Sequence, residues 1–330
     1  MKNKRKVKSC MILFLCAMLC CTLFISPAYA SAGTYYESEP NNTYSTADIT
    51  YNDYDNYGYI STLSDVDWWR ISFNYSGPAN FWLGNIPTNC DYDLRLYSSD
   101  GTTLLASSLL SGTTSELVTY TVSAYTTYYV KISSYVGSST TSPYLFRTKV
   151  YPSNTVSGVP LYVQETTSTC GCASGRMMLA SYGIDVTEST FKSRATLLAG
   201  ESADYTYVYV IRDTLNYFLE DNDSTVRYKY TLVSSYSASA YQDLVLTNIL
   251  NNHPVQPNMK VSSTDYFPYT TNGHYVVIKG MTYDSGTASY NTIVNDPHYA
   301  YSDTYTVPLS VMLDYTQAHH SGGYLIHVDD

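Results

Sequence analysis

The apolar residues of this chain change their period near residue 150, and that change asks for two different architectures in succession. From residue 34 to 150 no helical period holds. Short alternating runs recur instead, at 68–73, 81–83, 93–97, 115–122 and 128–132, separated by turn residues. Alternation with a period of two exposes one face of a strand and buries the other, so many short runs of this kind predict an antiparallel β-sandwich. Ser98-Ser99-Asp100-Gly101 reads as a hairpin turn between two of them. Residues 151–157, with Pro152 and Gly158 at their edges, read as a linker.

After the linker the period becomes helical. Residues 173–182 predict a helix closed by Gly183, and Thr187 can cap a second that runs to about Leu198. Val208, Ile211, Leu215, Phe218 and Leu219 share one helical face. Ser239-Ala240-Tyr241-Gln242 has the form of a capping box opening a further helix that stops before Pro254. Strands are expected at 255–261, 274–281, 290–294 and 324–328, with a short helix near 310–315. Helices first and strands after give an α+β domain over 158–330, behind a sandwich domain over 31–150.

The first thirty residues read as an export signal. Lys2, Lys4, Arg5, Lys6 and Lys8 precede an apolar run from Met11 to Ile25, and Ala28-Tyr29-Ala30 offers the small residues a signal peptidase prefers. The mature chain is expected to begin near Ser31 and to be secreted, either free or wall-associated, with no membrane segment. Removing the leader takes five of the 18 Lys and Arg and none of the 28 Asp and Glu, so the net charge falls from −10 to −15. Such a surface repels nucleic acid and anionic lipid. Four of the seven cysteines also lie in the leader, leaving Cys90, Cys170 and Cys172. Three thiols cannot close a disulfide framework, and an odd count in an exported chain points to a reactive one.

Cys170 lies just ahead of the first expected helix, where the helix dipole and free N–H groups favour thiolate and can hold a developing oxyanion. Gln164, six residues upstream, adds a side-chain amide. Alone this fits equally well a buried structural cysteine with a solvent-facing glutamine. His274 follows a glycine turn at the start of an apolar strand, and Asp296 closes a second strand before Pro297. Adjacent strand ends of this kind would let the carboxylate orient the imidazole, as nucleophilic catalysis by a thiol requires. Cys172 competes with Cys170 for the nucleophile's place, but the six-residue step from Gln164 favours Cys170, and a cysteine inside the first turn suits packing. His319-His320 has no spaced partners, so metal-assisted catalysis is not expected.

The stretches VPLYVQ, CGCASGRMMLASYG, GHYVVIKGM and VNDPHY together resemble the bacteriocin-processing, double-glycine-leader peptidase-like family, over about residues 159–330. That resemblance implies a papain-like cysteine peptidase fold with Cys170 as nucleophile, His274 as general base, Asp296 as orienter and Gln164 as oxyanion partner. No transporter segment follows the domain in the sequence, so leader removal within an exporter is not expected. ESEPNNTYSTAD, ISTLSDVDWWRISF and CDYDLRLYSSDG resemble the bacterial pre-peptidase C-terminal domain, a β-sandwich carried by secreted peptidases. That second resemblance implies a possible Ca²⁺ site at Glu37, Glu39, Asn41, Asn42, Asp65 and Asp67; solvated acids at a domain edge are the plain alternative. No cofactor is expected for catalysis. The expected partner is an extracellular protein or peptide, cleaved at a peptide or isopeptide bond through an acyl-enzyme. An acyl transferase using the same residues, and a non-catalytic binder of peptide or wall polymer, are the competing readings. The intact set of Cys, His, Asp and Gln speaks against the binder.

Overall fold

The computed structural model describes residues 32–200 and 207–328; the leader and its cleavage site lie outside the described residues. Ten strands come first: β1 (Gly33–Tyr36), β2 (Asp48–Ile49), β3 (Tyr54–Gly58), β4 (Val66–Ser72), β5 (Gly77–Gly84), β6 (Asp91–Tyr97), β7 (Leu104–Ser108), β8 (Glu116–Val122), β9 (Thr127–Val136) and β10 (Tyr144–Val150). They form two five-stranded sheets, ordered β1-β3-β10-β5-β8 and β2-β4-β9-β6-β7. Trp69, Ile71, Leu94, Leu96, Val130 and Ile132 from one sheet meet Phe81, Leu83 and Phe146 from the other in a single apolar cluster. These are the alternate residues of each run, which is why the period-two pattern was visible.

Most pairings are antiparallel, but β1 pairs parallel with β3 and β2 parallel with β4. A tight hairpin forces neighbours to run in opposite directions. Here residues 37–53 carry the chain through β2, in the other sheet, before it returns as β3, so the strands they join run the same way. The hairpin at 98–101 joins β6 to β7. Asp100 holds it, its carboxylate accepting from the N–H groups of Thr102 and Thr103 and from the Ser98 and Thr103 hydroxyls.

The residues expected to be a free linker include a short strand, β11 (Asn154–Thr155), paired with β15 (Val277–Asp284). Asn154 Nδ2 donates to the Ile249 carbonyl at 2.6 Å, and Tyr151 stacks on Tyr283 with ring centres 4.2 Å apart. Three helices follow, α1 (Cys170–Ala180), α2 (Glu188–Ala199) and α3 (Val208–Asp221). Met177, Met178 and Leu179 of α1 meet Phe191 of α2 and Ile211, Leu215 and Leu219 of α3 in a second apolar cluster, separate from the first. Gly175 permits the close crossing of α1 and α2, because a Cβ there would run into the Phe191 ring.

Beyond them lie β12 (Tyr228–Leu232), α4 (Ala238–Leu250), β13 (Gln256–Val261), β14 (Thr271–Tyr275), then β15, β16 (Ser289–Asp296), β17 (Asp303–Pro308), α5 (Leu309–Gln317) and β18 (Tyr324–Val328). Two four-stranded sheets result, ordered β12-β18-β13-β14 and β11-β15-β16-β17. Helix α4 is capped by Ser237, whose hydroxyl accepts from Ala240 N at 3.2 Å, two residues before the capping box read from the sequence. Thr187 caps α2 as expected, accepting from Thr190 N at 3.1 Å. The single strand expected at 274–281 is two strands in different sheets. Tyr275, Val276, Val277 and Ile278 are all buried, so no alternation marks the step at Val276 where the chain leaves β13 for β16. No helix among the described residues is long and apolar enough to cross a membrane.

Candidate active site

Cys170 is the first residue of α1, three positions earlier than the helix expected at 173. Thr169 accepts the first helical bond, from Ala173 N at 3.0 Å, which leaves the N–H groups of the first turn pointing out of the helix start. The thiol faces His274 and the N–H groups of Tyr275 and Gly171. Burial alone would push the thiol up, but the imidazole beside it and these two donors outweigh that and hold it below the usual thiol value. Burial likewise presses His274 down, yet the neighbouring Cys170 charge and the Asp296 hydrogen bond push it up to about 10. Both shifts favour a thiolate–imidazolium pair.

His274 sits on β14 opposite Met259 of β13, whereas Asp296 ends β16 in the other sheet. The expectation of adjacent strands is therefore corrected: the step at Val276 brings the end of one sheet against the end of the next. His274 Nε2 lies 2.7 Å from Asp296 Oδ1, and His274 is 5% and Asp296 0% exposed. With Nε2 engaged there, Nδ1 is the nitrogen left for Cys170.

Helix α1 is tied to this junction at two points. Ser174 Oγ donates to the Tyr275 carbonyl at 3.1 Å, and Gln256 Nε2 reaches the Gly171 carbonyl at 3.4 Å. Cys172 is fully buried in the second apolar cluster, against which Cys170 packs only in part.

Gln164 arrives by its own route. Asn295 Nδ2 donates to the Pro160 carbonyl at 2.9 Å, and Gln164 N donates to the Pro297 carbonyl at 2.8 Å, so the segment before the loop is stitched to the end of β16. One Gln164 Nε2–H bonds the Thr166 carbonyl at 2.6 Å, while its buried Oε1 has no partner. Between Gln164 and Cys170 the loop hangs on Glu188. This buried carboxylate accepts from Glu165 N through both oxygens, at 3.0 and 3.2 Å. Burial raises the Glu188 carboxyl despite its bonds to Thr169 and Glu165. The sequence shows Glu188 only as the residue after a helix cap. Nothing in the text marks it as the support of the loop.

At the far end of the chain, Glu37, Glu39 and Asp67 offer carboxylate oxygens within 4.8 Å of one another. Asp67 is fully buried and neither of its oxygens has a hydrogen-bond partner; Asn41 Oδ1 is likewise buried and unpartnered. Burial, with Glu37 beside it, pushes Asp67 up to about 10. Gly58 leaves the space these groups use, since a Cβ there would strike Glu37 Oε2 and the Tyr144 hydroxyl. Hard carboxylate oxygens converging in this way, with those of Asp67 unpartnered, suit Ca²⁺. Two of the six residues expected there are turned elsewhere. Asp65 accepts from Ser61 N at 2.6 Å and Val66 N at 3.0 Å, and Asn42 Oδ1 accepts from Val66 N at 2.9 Å. Both cap the turn into β4, a use that sequence spacing does not distinguish from metal ligation.

The model of the Peptidase_C39 like family matches residues 156–321. No curated protein matches the chain. Among solved structures, the chain is similar to a double-glycine-motif protease from an AMS/PCAT transporter in complex with its leader peptide, at 17% identity over 55% of this chain and 100% of that one, with a TM-score of 0.32. It is also similar to the peptidase domain of Streptococcus ComA, a bifunctional ABC transporter, at 14% identity over 52% and 99%, TM-score 0.31. The pre-peptidase C-terminal domain of a Bacillus anthracis collagenase matches at 15% identity over 31% and 94%, TM-score 0.26. The chain belongs to the Peptidase_C39 like family of cysteine peptidases.

Proposed function

We infer that this chain hydrolyses a peptide or isopeptide bond, with Cys170 as nucleophile, His274 as general base and acid, Asp296 as orienter, and Gln164 with the α1 N–H groups as oxyanion partners. The observation that carries this reading is the 2.7 Å His274–Asp296 bond, made at the junction where Cys170 opens α1 against the same imidazole. The thiolate attacks the carbonyl carbon, a C–S bond forms, and the carbonyl pair moves onto oxygen, where the outward-facing N–H groups of the first turn meet it. His274 gives its proton to the amine as the C–N bond breaks, leaving a thioester. Water then attacks the thioester, His274 takes the water proton, and the C–S bond breaks to release the acid and restore the ion pair. Asp296 stays a carboxylate throughout and holds the ring.

The reading extends to the whole chain as two domains, 31–150 and 158–330, joined by 151–157; the two separate apolar clusters support this. In the first domain Ca²⁺ would be held by Glu37, Glu39, Asp67 and the Asn41 side-chain oxygen, neutralising carboxylates that otherwise repel one another. The basic-then-apolar leader supports export to the cell exterior or wall. Labelling with a thiol-directed, activity-based peptide probe, followed by peptide mapping, tests the central claim. Modification at Cys170 that requires His274 is the expected result; modification at Cys172, or none, overturns it.

A further inference from the structure

Asp296 has more partners than His274. Its Oδ1 accepts from His274 Nε2 and, at 2.9 Å, from the backbone N–H of His298; its Oδ2 accepts from the Tyr269 hydroxyl at 2.6 Å. A carboxylate is an acceptor only, and one with no exposed surface depends on such donors to keep its charge and its orientation. Among the described residues, Tyr269 is the side chain that bonds the oxygen facing away from the imidazole.

Tyr269 lies in the connection between β13 and β14, far from Asp296 in sequence, and its ring is fixed on several sides. It stacks on His298 with centres 4.1 Å apart, stands edge-on to His274 at 5.7 Å, and touches Phe267 at 6.0 Å. Burial and the Asp296 charge keep its phenol protonated well above the usual range, so it donates. The other titratable groups facing this cluster are Cys170 on α1, His274 on β14, His298, Tyr299 and Tyr301 after β16, and Asp303 and Tyr305 on β17. Among them only Tyr269 and His274 give Asp296 a side-chain hydrogen bond.

We propose that Tyr269 is a positioning residue for the Cys170–His274 pair: by bonding Asp296 Oδ2 it locks the carboxylate so that Oδ1 stays in line with His274 Nε2. This role rests on the cysteine-peptidase reading and adds a fourth member to its proton-handling chain. Without the phenol, Oδ2 is buried and unpaired. The carboxylate is then held through Oδ1 alone, by His274 and the His298 N–H, and its looser rotation about Cβ–Cγ weakens the alignment that the imidazolium needs. Less stable imidazolium means less stable thiolate.

The test reads Cys170 alkylation by iodoacetamide against pH in the full chain, which needs no substrate, alongside turnover of a peptide substrate. Tyr269→Phe keeps the ring and its stacking. It is expected to move the alkylation midpoint upward by about one unit, and so to slow labelling roughly tenfold at pH well below the midpoint, because one unit is there a factor of ten in thiolate. kcat falls by a similar factor with KM little changed, since ground-state binding is untouched. In an Asp296→Ala background, Tyr269→Phe is expected to change neither quantity further, because the residue acts only through the carboxylate. An unmoved midpoint in Tyr269→Phe, or the same shift in both backgrounds, overturns the proposal, as does a fall in melting temperature with the pH curve in place. If the midpoint responds to Tyr269 but no amide or isopeptide is cleaved, the hydrolase reading falls and the positioning role stands. If turnover persists while the midpoint ignores Tyr269, the reverse holds.

Discussion

Ser174 Oγ donates a hydrogen bond to the carbonyl of Tyr275, the residue after His274, across 3.1 Å of buried space. The bond joins the helix that carries the Cys170 thiol to the strand that carries His274. It sets their spacing without touching either reactive atom. Ser174→Ala would leave that carbonyl without this donor, at a cost of about 1–3 kcal/mol. The expected outcome is a lower melting temperature together with a kcat reduced severalfold, read by calorimetry and steady-state kinetics on one preparation. A stability loss with unchanged kcat would show the bond to be purely architectural.

The two neighbouring cysteines are expected to separate cleanly. Cys170→Ala should abolish turnover, by a factor on the order of 10⁶ in comparable triads. Cys172→Ala should keep most activity and lose about 1 kcal/mol of stability, since its side chain is fully buried in the second apolar cluster. His274→Ala should resemble Cys170→Ala, and Asp296→Asn should be milder. Activity that survives in Cys170→Ala but not in Cys172→Ala would move the nucleophile by two residues.

The pH profile follows from the signs of the two shifts. Cys170 ionises below the ordinary thiol range, so activity rises with pH through that depressed value. His274 keeps its proton until about pH 10, so activity falls only as pH passes through that point. A broad plateau between the limbs is expected for kcat/KM. His274→Ala should move the alkylation midpoint of Cys170 upward into the ordinary range, because its largest stabilising neighbour is gone. A midpoint already ordinary in the unmodified protein would rule out the ion pair.

Calcium should raise the melting temperature of the full chain and chelator should lower it. At a hundredfold excess over Kd, a ligand that binds only the native state contributes about 2.7 kcal/mol. Asp67→Ala should remove the response. Asp65→Asn should preserve it, because Asp65 caps the turn into β4 through two backbone N–H groups. A calcium response lost in Asp65→Asn but kept in Asp67→Ala would redraw the ligand set.

The sequence made some of this site legible, and the reasons differ residue by residue. Cys170, His274 and Asp296 stand in short motifs whose local context, a helix start and two strand ends, is itself visible in the text. Their meeting across two sheets was not visible, because residues 275–278 are buried on every side and give no period to mark the step at Val276. Tyr269 and Glu188 act over 27 and 23 residues of separation, through one hydroxyl and one carboxylate, and such contacts leave no periodic trace. In the sandwich, strands rich in Trp, Phe and Leu were readable. The short edge strands β1 and β2 were not, since a half-exposed run of two to four residues resembles a loop.

The burial of Cys172 also bears on what happens to Cys170 under oxidation. A thiolate at Cys170 that meets peroxide becomes a sulfenic acid, which is normally rescued when a second thiol condenses with it. Cys172 is two residues away yet sealed in the helical core, and Cys90 lies in the other apolar cluster. Among the described residues the other two thiols are buried, so if Cys170 is the nucleophile its oxidised form is expected to need a small thiol from outside. On that reading the sulfur would stay oxidised wherever such thiols are scarce, and the working lifetime of the protein would be set by its surroundings as much as by its fold.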